Sequence, residues 1–100
     1  MKNDLQNFVG GHDTDFAHDE RSDVINPSTG EVFTTAPVSR EAEVTAAFAA
    51  ASEAFEGWRN TTPAERSLAL LKIADTIVEK ADQLVAVESE NTGKPIALTL

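Results

Sequence analysis

The stretch TPAERSLALLKIADTIVEKADQLVAVESENTGKP, residues 62–95, limits what this chain can fold into more than any other. Thr62 and Glu65 have the spacing of a capping box, in which the threonine oxygen accepts the third helical N–H and the glutamate reaches back. Pro63 falls at the first helical position, where its missing N–H costs nothing. Leu70, Ile73, Ala74, Ile77, Val78, Ala81, Leu84 and Val85 then recur at helical spacing and predict one buried face. Gly93 suits a left-handed cap, and Pro95 cannot continue the same helix. A break is expected near Lys80-Ala81-Asp82, where the apolar set widens to Leu84, Val85, Ala86 and Val87. Asp82 would then start a second helix.

The residues before this block alternate between short apolar runs and turn formers. Leu5 to Val9 reads as an edge strand closed by Gly10-Gly11. His12 to Asp23 reads as a surface loop or loose hairpin. Val24-Ile25 and Glu31 to Ala36 predict two strands joined by Asn26-Pro27-Ser28-Thr29-Gly30 and ended by Pro37. Ser39 is placed to cap the next helix, with Glu41 and Glu43 near the positive end of its dipole. Val44, Ala47, Phe48, Ala51 and Phe55 form that helix's apolar face, Gly57 is expected to stop it, and Trp58 to fold back over its end. The fold class is α+β: strands and loops over residues 1–37, helices over 38–93, and the start of a further helix over 95–100. Pro95 would open that helix, and the sequence stops roughly one and a half turns later, counting about 3.6 residues per turn. A turn and a half is unstable alone, so the expectation is a cut within a longer chain.

Charge excludes some partners. Eight Lys and Arg against seventeen Asp and Glu give a formal charge of -9 over 100 residues, whereas nucleic acid and anionic membranes call for a basic face. No nucleic-acid partner and no membrane partner are therefore expected. No stretch approaches a transmembrane span, and the start shows no signal-peptide core, so a cytoplasmic location is the expectation. The absence of cysteine removes a disulfide framework, a thiolate metal site and a thiol nucleophile from this stretch.

Searching for chemistry yields little. His12, Asp13, Asp15, His18 and Asp19 are the only metal-like cluster, and a solvated acidic loop explains them. Thr92-Gly93-Lys94 resembles the end of a P-loop, but Glu88 stands where that motif needs its first glycine and Pro95 where it needs Ser or Thr. Asn60-Thr61-Thr62 is a sequon without an export signal. Glu88 and Glu90 read as helix-surface charges. No histidine beyond His18 is available to activate a serine or threonine.

The order of weak motifs is more specific than any one of them. Val24-Ile25-Asn26-Pro27-Ser28-Thr29-Gly30-Glu31-Val32 and Glu88-Ser89-Glu90-Asn91-Thr92-Gly93-Lys94-Pro95 resemble the aldehyde dehydrogenase superfamily. Ala50-Ala51-Ser52-Glu53-Ala54-Phe55, Trp58, Pro63-Ala64-Glu65-Arg66, Leu70-Leu71 and Ile73-Ala74-Asp75 resemble it at the same spacing, as does Phe8-Val9-Gly10-Gly11. The resemblance runs in register over about residues 5–100. It implies the N-terminal part of an α/β, Rossmann-like cofactor-binding domain, whose helices pack outside a sheet this sequence lacks. It also implies an NAD- or NADP-dependent enzyme several times this length, acting on a small aldehyde and forming a homo-oligomer. In that family a cysteine attacks the aldehyde, hydride passes to the cofactor, and a glutamate assists hydrolysis of the thioester. Those residues would lie beyond position 100, so no catalytic or cofactor-binding residue carries over and the stretch alone should be inactive.

Some members also hold a monovalent cation, and the matching metal positions here are Val24, Ile25 and Asn91. Asn91 replaces the family's Asp, which removes a charge. Glu-Ser-Glu-Asn-Thr-Gly-Lys-Pro is similar to aminobutyraldehyde dehydrogenases, with betaine aldehyde dehydrogenases as near relatives, so 4-aminobutyraldehyde is the expected substrate. The competing expectation is a small, self-contained acidic module that binds a protein partner through its helices.

Overall fold

The computed structural model describes residues 4–14 and 20–99. Eight elements follow in order: β1 (Asn7–Val9), β2 (His12–Thr14), β3 (Arg21–Ile25), β4 (Val32–Pro37), α1 (Glu41–Trp58), α2 (Pro63–Glu79), α3 (Ala81–Thr92) and α4 (Ile96–Thr99). The strands precede the helices, as the α+β reading expects. They fall into two units, one comprising residues up to Val24 with Val32–Asn60, the other Ile25–Glu31 with Thr61 onward.

In the first unit, β1 and β2 form an antiparallel hairpin pairing Asn7 with Thr14, Phe8 with Asp13 and Val9 with His12. Gly10 and Gly11 take φ of 64° and 88°, the left-handed pair that a two-residue hairpin turn demands and that side chains resist. Of the two expectations for the start of the His12–Asp23 segment, a surface loop or a loose hairpin, His12–Thr14 takes the hairpin. A second two-stranded sheet pairs β3 with β4. Arg21 ties the N-terminal segment to that sheet: its Nε donates to Thr35 Oγ1 at 2.6 Å, and its Nη2 donates to the carbonyls of Leu5 and Thr35. Leu5 N–H adds a bond to Thr35 O at 2.9 Å. One planar guanidinium thus braces two segments at once.

Helix α1 corrects two expectations. Its N-cap is Arg40 in extended geometry with no side-chain cap bond, because Ser39 Oγ accepts instead from Asn7 Nδ2 at 2.8 Å. Gly57 does not stop the helix: α1 runs through it to Trp58, with Arg59 N–H bonded to Phe55 O at 2.8 Å. A single glycine costs an exposed helix only about 1 kcal/mol, too little to end a run of good helix formers. Trp58 lies inside the last turn, 46% exposed.

In the second unit the capping box forms as expected. Glu65 N–H donates to Thr62 Oγ1 at 3.2 Å, and Thr62 N–H donates to Glu65 Oε2 at 2.8 Å, with Pro63 leading the helix. The break falls at Lys80, whose φ of -101° and ψ of 16° leave helical geometry. Lys80, not Asp82, occupies the cap of α3. Gly93 closes α3 with φ of 75° and ψ of 7°, its N–H bonded to Ser89 O. α4 begins one residue after Pro95, whose carbonyl accepts the Leu98 N–H at 2.9 Å.

Among the described residues, neither unit carries a buried apolar side chain. Among the described residues only Thr34 is buried, at 6% exposure. The expected buried stripe is open in this chain: Leu70 is 64% exposed and Val78 76%. Phe48, on α1, is 71% exposed. These helices follow amphipathic patterning whose apolar faces are left open among the described residues.

Candidate functional site

The residues expected to bind a monovalent cation lie at element ends. Val24 is half-buried near the end of β3 in the first unit. Ile25, 53% exposed, ends β3, and Asn91 is exposed in the last turn of α3; both belong to the second unit. Within that unit the segments carrying Ile25 and Asn91 meet through their neighbours. A Cβ placed on Gly93 would stand 2.9 Å from Pro27 Cγ and 3.6 Å from Ser28 Oγ. The turn two residues after Ile25 therefore rests against the cap two residues after Asn91.

Backbone carbonyls and an asparagine side chain offer only hard oxygen ligands, which suit alkali and alkaline-earth ions and not soft metals. The negative end of the α3 dipole lies beside Asn91 and favours positive charge. Asn91 contributes no formal charge of its own.

That dipole also disposes of the phosphate reading. Gly93-Lys94 follows the C-terminus of α3, where outward carbonyls repel anions; a phosphate cradle needs the N–H groups of a helix N-terminus. Thr92 Oγ1 is engaged as well, donating to Glu88 O at 2.8 Å and accepting Lys94 N–H at 3.2 Å.

The histidine-aspartate cluster does not assemble from its described members. His12 and Asp13 are successive residues of β2, so their side chains leave opposite faces. His12 Nδ1 lies 3.3 Å from Gly10 O. Asp15, His18 and Asp19 lie outside the described residues. Among the described residues, no group of three or more His, Cys, Asp or Glu is placed to hold a metal. Asn60 serves the end of α1, donating from Nδ2 to Glu56 O at 2.9 Å, while Thr61 Oγ1 accepts from Arg66 Nε at 2.9 Å. Glu88 is exposed and Glu90 half-buried along α3.

The first unit has an open depression of about 790 Å³, between the Gly10-Gly11 turn with Phe8 and the small-residue face of α1 at Ala47, Ala51 and Ala54. Its lining holds one ionisable side chain, Glu53, which is too little to organise a reaction. Two contacts escaped the sequence reading. Arg21 carried no local signal of its bond to Thr35, and nothing in the spacing linked Pro27 to Gly93.

With the capped helices, the Asn-Pro turn and the Gly-Lys-Pro corner in place, the class of the chain is plain. The model of the aldehyde dehydrogenase family matches residues 15–100, and the chain belongs to that family. It is similar to 2-aminomuconic semialdehyde dehydrogenase of Mus musculus, 39% identical over 94 residues, which are 94% of this chain and 19% of that protein. The Danio rerio protein of the same name is 41% identical over 92 residues, covering 92% of this chain and 18% of that one. An aldehyde dehydrogenase of Rhodospirillum rubrum is 42% identical over 94 residues, again 94% of this chain and 19% of the relative. In three dimensions the chain superimposes on a crystal structure of aldehyde dehydrogenase from Bartonella henselae with a TM-score of 0.95 and 27% identity, over 100% of this chain and 21% of that one. The chain spans about a fifth of the length of the curated relatives it matches. The Mus musculus and Danio rerio relatives are named for 2-aminomuconic semialdehyde, where the Glu88–Pro95 motif suggested aminobutyraldehyde or betaine aldehyde.

Proposed function

We propose that this chain is the opening part of the cofactor-binding domain of an NAD- or NADP-dependent aldehyde dehydrogenase that oxidises a small aldehyde to its carboxylate. The observation that carries the reading is the full-length superposition on one fifth of an aldehyde dehydrogenase of known structure. The open apolar faces of α1, α2 and α3 support it, because they fit helices that flank a sheet supplied by the remaining chain. The bound nicotinamide would accept hydride. The part proposed for this chain is to build the outer layer of the domain.

The substrate is proposed to be an amino-substituted aldehyde. The Glu88–Pro95 motif suggests 4-aminobutyraldehyde, and the relatives carry 2-aminomuconic semialdehyde in their names; both bear an amino group on the carbon skeleton. A monovalent cation is proposed at the carbonyls of Val24 and Ile25 and at Asn91, supported by their all-oxygen donor set and by the end of the α3 dipole. A self-contained acidic module fits less well, since it would need a core and no described apolar side chain is buried.

The test is to express the protein at its full natural length and follow nicotinamide reduction with 4-aminobutyraldehyde, 2-aminomuconic semialdehyde and an unsubstituted aliphatic aldehyde. Turnover is expected with the amino-substituted pair. Turnover with no aldehyde under either nicotinamide would sink the reading.

A further inference from the structure

We propose that the Asn26–Gly30 turn is a clasp that sets the corner between α3 and α4, with Pro27 as the positioning residue and Gly93 as its seat. The inference stands apart from the dehydrogenase reading, since it needs only contacts inside the second unit.

Both sides of the contact are braced by their own hydrogen bonds. On the turn, Asn26 O accepts from Gly30 N–H at 2.8 Å and from Thr29 N–H at 3.2 Å, and Asn26 N–H reaches Glu31 O at 2.9 Å. Asn26 Oδ1 takes Ser28 N–H at 2.9 Å, and Thr29 Oγ1 takes Glu31 N–H at 3.2 Å. At the corner, Gly93 N–H bonds Ser89 O at 2.9 Å. Lys94 N–H bonds Thr92 Oγ1 at 3.2 Å, and Thr99 Oγ1 bonds Pro95 O at 3.1 Å. Neither side gives way easily.

The contact itself is close. A Cβ on residue 93 would meet Pro27 Cγ at 2.9 Å and Pro27 Cβ at 3.7 Å, and a proline ring has no rotamer through which to swing aside. Gly93 is thus required twice. Its φ of 75° excludes most side chains, though asparagine tolerates that region. The ring of Pro27 excludes asparagine as well.

Hydrogen exchange across residues 90–99, in the protein at its full natural length, tests the clasp. Pro27→Ala should speed exchange at the corner several-fold. Gly93→Asn should speed it about tenfold or more, the size expected for forcing a carbon into filled space. In the Pro27→Ala background, adding Gly93→Asn should change exchange far less, because the obstructing ring is gone. Equal effects of Gly93→Asn in both backgrounds, or unchanged exchange in Pro27→Ala alone, would overturn the proposal. If Gly93→Asn alone fails to fold, folding of the double variant supports the clasp and its failure to fold overturns it.

Discussion

Asn7 Nδ2 donates to Ser39 Oγ at 2.8 Å, so the hydroxyl that should cap α1 is turned toward β1. The helix starts at Glu41 behind an Arg40 cap that offers it no side-chain bond. A local preference has yielded to a link between segments distant in sequence. Ser39→Ala should therefore destabilise the full-length protein by only about 0.5–1 kcal/mol, the value of one exposed hydrogen bond, and Asn7→Ala by a similar amount. The double variant should cost no more than either single one, because both remove the same bond. Denaturant unfolding checks this. A much larger loss for Ser39→Ala than for Asn7→Ala would mean that the serine caps the helix after all.

The cap of α2 behaves in the opposite way. Thr62 and Glu65 satisfy each other's backbone N–H groups, and Thr62→Ala should cost about 1 kcal/mol. Glu65→Gln preserves the reach-back bond and should be nearly silent, whereas Glu65→Ala should lose part of the box. Equal effects of Gln and Ala at position 65 would show that the reciprocal half contributes nothing.

Two glycines near helix ends should respond to alanine with opposite signs. Gly57 lies inside α1 with nothing within 4 Å of an added Cβ, so Gly57→Ala should stabilise by about 0.5–1 kcal/mol. Gly93 combines φ of 75° with the 2.9 Å approach to Pro27, and Gly93→Ala should destabilise by more than Gly57→Ala gains. The same unfolding measurement compares them directly. Matching signs would refute the distinction.

The cation proposal predicts a change at Asn91. Asn91→Asp adds a formal negative charge beside the carbonyl end of α3. Melting temperatures of the full-length protein in potassium chloride and in choline chloride should then separate further for the variant than for the parent, by the linkage between binding and stability. Parent and variant showing no difference between the two salts would remove the cation from this site.

The parts that were legible in the sequence are those where cause and effect lie within a few residues. Thr62, Pro63 and Glu65 encode a helix start, Gly93 encodes a stop, and the Asn26–Gly30 cluster encodes a turn. Gly57 misled because its small local penalty competes with strong helix formers on both sides. Ser39 misled because its partner, Asn7, is distant in sequence. The Pro27–Gly93 contact left no trace in the spacing for the same reason. The candidate cation residues came from family resemblance, and the structure adds the closeness of the Ile25 and Asn91 segments. The apolar stripe of α2 follows the helical spacing that the sequence shows, but the burial expected of it is not met among the described residues.

That uncovered stripe governs how the 100-residue chain should behave alone. Leu70, Ile73, Ile77 and Val78 are each more than half exposed, and Thr34 is the only described residue that is buried. Burial of apolar surface is the main term opposing chain entropy, at about 25 cal/mol per Å². Without it, helical segments persist through capping and propensity while fixed packing is lost, which is the behaviour of a molten state. The isolated chain should bind a hydrophobic dye, unfold over a broad temperature range and self-associate with rising concentration. It should also give no nicotinamide reduction with any aldehyde, since it contains no cysteine to attack one. A sharp two-state transition in a monomer, without dye binding, would instead show that the chain packs a core of its own.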